Sequence, residues 1–132
     1  MRATLDACHI AIPVRDLDES VAFYVDGLGV KLARRYPDRV TFDFFGDQLV
    51  CHLSDKVRAE ATAYPQHFGV TFAKREDFDR LLRVVEFRKL SVLAGPSVRF
   101  EGMAEEHRQI FLTDPSSNVL EFKQYEDPRL MY

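Results

Sequence analysis

The order of this chain starts twice, and that repetition limits what it can fold into more than any other feature. A short β-branched run, His9-Ile10-Ala11-Ile12-Pro13-Val14, reads as a strand. Asp16-Leu17-Asp18-Glu19 then gives a helix start, a carboxylate cap with an acid three positions on. Leu17, Val21, Tyr24, Val25 and Leu28 follow at helical spacing on one apolar face, and Gly27 and Gly29 provide the stop. Three strands are expected next, near residues 31–36, 39–45 and 48–53, with Gly46-Asp47 as the last hairpin turn. Residues 56–66 carry Ala, Thr and Pro65 and read as a connector. The pattern then begins again, with a strand at 67–72 and a helix opening at Arg75 that carries Phe78, Leu81, Leu82, Val85 and Phe87. Gly95-Pro96 marks a turn, 97–100 a short strand and 101–108 a polar loop. Strands at 109–113 and 118–125, joined by Asp114-Pro115-Ser116-Ser117, close the chain.

Slid by 58 residues, the sequence places His67 on His9, Gly69 on Ala11 and Val70 on Ile12. At the far end of each half His52 and Glu121 correspond at a shift of 69, and the 11 extra residues fit a longer connection near 101–108. The expectation is an α+β domain over residues 1–132, with one βαβββ module at about 5–55, a connector at about 56–66 and a second module at about 67–126. Each module opens with a histidine-bearing strand and closes on a strand that carries a side chain of metal-ligand type.

Side chains alternate between the faces of a strand. If His9 points to a cavity, so do Ala11 and Pro13, while Cys8, Ile10 and Ile12 turn to the packed helix. The same parity groups Gln48, Val50 and His52, then His67, Gly69 and Thr71, and finally Val119, Glu121, Lys123 and Tyr125. Cys8 and Cys51 both fall on the buried side and read as core fillers, with no spacing that suggests a disulfide framework.

Imidazole nitrogens and carboxylate oxygens suit a divalent Fe, Zn, Ni, Mn or Co ion. His9, His52, His67 and Glu121 supply up to four ligands. His9, His67 and Glu121 by themselves make a two-histidine, one-carboxylate triad, with His52 as a fourth ligand or as an acid or base near neutral pH. His52 and Glu121 are therefore the candidates for catalysis. His107, among Glu105, Glu106 and Arg108 in the expected polar loop, is set aside. Gln48, Arg99, Gln109 and Lys123 are the candidate substrate contacts, with Tyr24, Tyr36 and Tyr125 at the rim.

A formal net charge of −3 and a pI near 5.8 give no electrostatic case for nucleic acid or an anionic membrane. No apolar run approaches the roughly 20 residues of a membrane span, and residues 1–7 lack the apolar core of a secretory signal. A reducing, cytoplasmic setting is the expectation. Phosphate-cradling glycine loops and the G-x-S-x-G elbow are absent.

Four stretches carry a family resemblance: HIAIPVRDLDESVAFY from His9, DFFGDQLVCHL from Asp43, HFGV from His67 and DPSSNVLEFK from Asp114. Together they resemble the vicinal oxygen chelate superfamily, which includes glyoxalase I, extradiol dioxygenases, bleomycin- and fosfomycin-resistance proteins and methylmalonyl-CoA epimerase. The resemblance implies paired modules forming a U-shaped, partly closed mixed β-barrel around a metal, with the helices outside. It implies metal ligation by His9, His67 and Glu121, and it puts His52 where glyoxalase I and the epimerase would place a glutamate. It also implies a homodimer, in some members with modules exchanged across the interface.

The expected function is that of a metal-dependent dioxygenase, or a glyoxalase-type lyase or isomerase, acting on a small oxygenated substrate chelated to the metal. The alternative is a non-catalytic drug-binding protein of the bleomycin-resistance kind. That reading calls for an aromatic, acidic groove without metal, and the ligand set argues against it.

Overall fold

The computed structural model describes residues 1–132. The first half runs β1 (His9–Val14), α1 (Leu17–Val21), β2 (Lys31–Arg35), β3 (Arg39–Phe44) and β4 (Asp47–Leu53). The second runs β5 (Phe68–Phe72), α2 (Arg75–Phe87), β6 (Val92–Arg99), β7 (His107–Thr113) and β8 (Val119–Tyr125), followed by a 3-10 turn at Pro128–Leu130. Asp16 caps α1: its backbone is extended, and its carboxylate accepts the Glu19 N–H at 2.8 Å. Beyond Val21 the helix widens into a π turn, Ala22–Gly27, in which the Leu28 N–H reaches back to the Phe23 carbonyl. Gly29, at φ +78°, ends it.

Each half makes its own four-stranded mixed sheet, ordered β1-β4-β3-β2 in the first and β5-β8-β7-β6 in the second. In both, the first and last strands of the module pair in parallel at one side, and the remaining pairs are antiparallel. Two sequence expectations fail in the second half. Gly95-Pro96 is not a turn between strands; β6 passes straight through it, and the ladder slips between Ala94 and Ser97. Gly95, at φ +86°, takes up the irregularity where a β-carbon would lie 2.9 Å from the Gln109 carbonyl oxygen. β7 also starts two residues earlier than expected, so His107 belongs to the sheet and not to the loop.

One core lies between the helix-side faces of the two sheets. Ile12, Val14, Phe42, Phe44 and Leu49 of the first half join Phe78, Leu81, Ile110, Leu120 and Phe122 of the second in a single buried cluster. The Phe44 ring centroid is 5.6 Å from that of Phe68 and 6.5 Å from that of Phe122. Because both helix-side faces feed this core, the opposite face of each sheet looks outward. Those two open faces carry the polar side chains that the alternation pattern grouped together.

A buried carboxylate clips the halves to each other. Asp114 accepts the Tyr24 hydroxyl at 2.9 Å and the backbone N–H groups of Ser116 and Asn118, while Asn118 donates through Nδ2 to the Pro13 carbonyl. Tyr24 is thus a core residue and not a rim residue; burial, then the charge of Asp114, pushes its pKa well above the ordinary tyrosine value. Cys51 is buried as expected, and burial raises its thiol pKa strongly. Cys8 corrects the parity argument: it precedes β1 and is exposed, because alternation constrains a side chain only within a paired strand. No helix is long and apolar enough to cross a membrane.

Candidate metal centre

The second sheet brings His67 and Glu121 together. His67 stands immediately before β5, and Glu121 sits in the middle of β8, opposite Gly69 in the parallel ladder. The His67 Nε2 is 2.9 Å from Glu121 Oε2. Its other nitrogen, Nδ1, is 2.6 Å from the Ala63 carbonyl oxygen, which can only accept, so Nδ1 carries the hydrogen. The ring is fixed from the sides as well, with edge-on contacts to Tyr64 at 5.5 Å and Phe111 at 5.6 Å. With Nδ1 committed to that carbonyl, His67 presents Nε2 to a carboxylate that is only 8% exposed. Two acceptors at that separation need a cation between them, either a proton or a metal ion. A carbonyl-anchored imidazole beside a carboxylate is the donor chemistry of a metal site, so this pair fits a divalent ion.

The first sheet contributes differently. His9 opens β1 and pairs in register with Gln48, whose Oε1 lies 2.5 Å from its Nδ1. That contact leaves Nε2 free on the outward face. His52, expected in the same ligand set, lies level with Pro13 and not with His9. It is four residues beyond Gln48, about 13 Å along the strand from His9, too far to share an ion with it.

The ladder also revises the repeat. Glu121 faces Gly69, and Gly69 corresponds to Ala11, whose partner in the first sheet is Val50. The first-module equivalent of Glu121 is hence Val50, at a shift of 71, and His52 corresponds to Lys123. A buried hydrocarbon cannot ligate. The first module thus offers one donor to any one ion, His9 or the more distant His52, and the second offers two. Inside a single chain no three His, Cys, Asp or Glu side chains gather closely enough to hold an ion.

The other expected site residues spread over the open faces. Lys123 reaches to 3.8 Å from Glu121 Oε2. Gln109 pairs with Lys123 across the β7–β8 ladder and is buried, and Tyr125 pairs with His107. Arg99 lies beside His107 on β6. Tyr36 lies on the first half, under the Arg39 guanidinium at 4.2 Å. The reading of the sequence missed His107, which shares a face with Glu121. The available signal was its alternation with Arg108, which turns the other way to meet Asp79 of α2 at 3.8 Å.

Two four-stranded mixed sheets with paired helices, and an imidazole–carboxylate pair on an outward face, define the class. Residues 7–122 match the family of the Glyoxalase/Bleomycin resistance protein/Dioxygenase superfamily, and the chain belongs to it. It is similar to a glyoxalase/bleomycin resistance protein/dioxygenase from Alicyclobacillus acidocaldarius, at 57% identity and a TM-score of 0.96 over the whole of both chains. It resembles the fosfomycin resistance protein FosX of Listeria monocytogenes in fold, with a TM-score of 0.73 and 17% identity over 99% of this chain and 100% of that one. It is also 27% identical over 115 residues to the metallothiol transferase FosB of Lysinibacillus sphaericus (strain C3-41), covering 86% of this chain and 78% of the relative.

Proposed function

We propose that this protein is a metal-dependent enzyme whose centre combines His67 and Glu121 of one copy with His9 of a second. The observation that carries the reading is the 2.9 Å approach of His67 Nε2 to Glu121 Oε2, with Nδ1 already committed to a carbonyl. Two donors on one outward face and one on the other leave each chain short of a triad, and a symmetric pair of copies with first sheet against second sheet supplies it. The resulting set is two histidines and one carboxylate, which suits Fe, Zn, Ni, Mn or Co and leaves coordination positions for a substrate.

When bound, the ion supplies a Lewis acid for a small substrate that presents vicinal oxygens. The chain's own residues do the rest. Ala63 holds Nδ1 of His67, and Phe111 and Tyr64 keep the ring oriented. Lys123, freed from Glu121, and Gln109 beside it orient substrate oxygens. The reaction class is a dioxygenase or a glyoxalase-type lyase or isomerase. A second reading, metal-assisted transfer of a thiol to an electrophilic substrate, draws on the likeness to the FosB metallothiol transferase.

The test is metal analysis by plasma mass spectrometry of protein purified without chelators, beside folded His67→Ala and Glu121→Ala variants. The parent is expected to hold close to one ion per chain and each variant to lose most of it. Iron favours the dioxygenase, and nickel or zinc the lyase, isomerase or transferase. Variants that retain metal as well as the parent would overturn the assignment.

A further inference from the structure

The ladders of the second sheet set its open face out in rows. Glu121 lies in one row with Phe111 and Gly69; the next holds Lys123 with Gln109 and Ser97; the third holds Tyr125 with His107 and Arg99. Neighbouring rows are about 6.7 Å apart. Beyond the candidate metal pair the face therefore becomes cationic and hydrogen-bonding. Gln109 is 7% exposed and makes no side-chain hydrogen bond inside the chain, and His107, equally buried, is tied only by Nδ1–H to the Glu105 carbonyl at 3.0 Å. Its ring lies 4.7 Å from that of Tyr125. The Gln109 amide still reaches solvent, since Gln124 Oε1 is the one buried side-chain polar atom left without a partner, and it is therefore available to hydrogen-bond a ligand on this face.

The charge distribution says which ligand. Strand cations on the helix side are paired, Arg35 with Asp18 at 2.7 Å and Arg108 with Asp79 at 3.8 Å. On the open faces the strands carry Lys31, Arg34, Arg39, Arg99 and Lys123 against Asp43 and Glu121 only. Lys31, Arg34 and Arg99 form no ion pair there, whereas Arg39 meets Asp38 at 2.9 Å and Lys123 comes to 3.8 Å from Glu121. Asp43 is occupied by the Gly46 N–H in its hairpin, and Glu121 faces His67. The strands thus carry five cations against two carboxylates on their open faces, in a chain whose net charge is −3. Focused positive potential in a partly enclosed face draws anions.

We infer that the rows of Lys123 and Arg99 form an anion subsite, and that the substrate is an acidic molecule with chelating oxygens at Glu121 and His67 and a second anionic oxyacid group one to two rows away. The inference rests on the metal reading of that pair. Gln109 donates to the anionic group beside the Lys123 ammonium, and His107 with Tyr125 walls the far end.

Titration calorimetry on the zinc-loaded protein, with two chelating probes, tests this. Acetohydroxamic acid chelates and has no charged tail; glutaric acid monohydroxamate adds a carboxylate on a spacer that spans about one row separation. The carboxylated probe is expected to bind about tenfold more tightly than the neutral one, and the advantage is expected to fall to about twofold in Lys123→Met and Gln109→Leu and to survive in Lys123→Arg. Raising the salt concentration should shrink it, as for a partly exposed ion pair. Equal affinities in the parent, with acetohydroxamate bound, would overturn the subsite and leave the metal reading standing. No zinc uptake, or no binding of either probe, would overturn both.

Discussion

The two modules share a topology and a core but treat their open faces differently. At equivalent places, Ala11 of β1 faces Val50, and Gly69 of β5 faces Glu121. A β-carbon on Gly69 would fall 1.7 Å from the Glu121 carbonyl oxygen, so β5 and β8 approach more closely than a side chain allows. β1 and β4 hold an alanine in the matching position. The second module brings Glu121 close to His67 and anchors that imidazole on a backbone carbonyl; the first presents His9 against an amide. The helix-side faces show no such divergence, since both fill one core. A repeat constrains packing in both halves, and it leaves chemistry free to concentrate in one.

The largest effects test what the modules share. Phe44→Ala and Phe122→Ala each remove a fully buried ring from the joint core and are expected to cost about 3–5 kcal/mol in urea unfolding. Both should keep a single transition. Separate transitions for the two halves would break the shared-core account.

The next effect tests the difference. Gly69→Ala is expected to cost about 3 kcal/mol, because backbone and not a flexible side chain stands in the way, whereas Ala11→Gly costs about 0.5–1 kcal/mol. Comparable losses at the two positions would remove the asymmetry. Tyr24→Phe comes below these, at about 1–3 kcal/mol, since it leaves Asp114 without the one bond that joins it to α1's continuation.

Tyr24 also gives a pH dependence with a definite sign. Its folded pKa is raised above the unfolded value of 10.0, first by burial and then by Asp114. Its contribution is complete below that value and is lost as the pH climbs above it, where the unfolded chain releases the proton and the folded chain keeps it. Stability measured from pH 9 upward should thus fall more gently in Tyr24→Phe than in the parent. The smallest effect is a matter of labelling. A disulfide-exchange reagent at neutral pH should titrate Cys8 alone in the native protein and both thiols in denaturant, because Cys51 is buried and its thiol pKa is raised.

Much of the architecture was legible because hydrophobic periodicity and glycine placement report local structure, as at the Asp16 cap and the helix beginning at Arg75. Alternation also identified the face that His67 and Glu121 share. It says which face a side chain takes but not which row, and rows are set by pairing between strands distant in sequence. For that reason His52 was placed beside His9, although the ladder puts it level with Pro13. His107 was lost to the same cause in reverse, since its acidic and basic neighbours look like loop and only its partner Tyr125 shows it to be strand. Gly95-Pro96 carries the composition of a turn and serves as an irregularity inside β6.

The central claim is that one chain supplies His67 and Glu121 while another supplies His9. Co-expressing His9→Ala and Glu121→Ala chains with different tags, and isolating the mixed species, tests it by metal content. In the mixed pair one site regains an intact His9 opposite an intact His67 and Glu121, so the account predicts one tightly bound ion per pair where neither parent variant holds one. A mixed species as empty as its parents, or a mixture that never forms pairs, would contradict it.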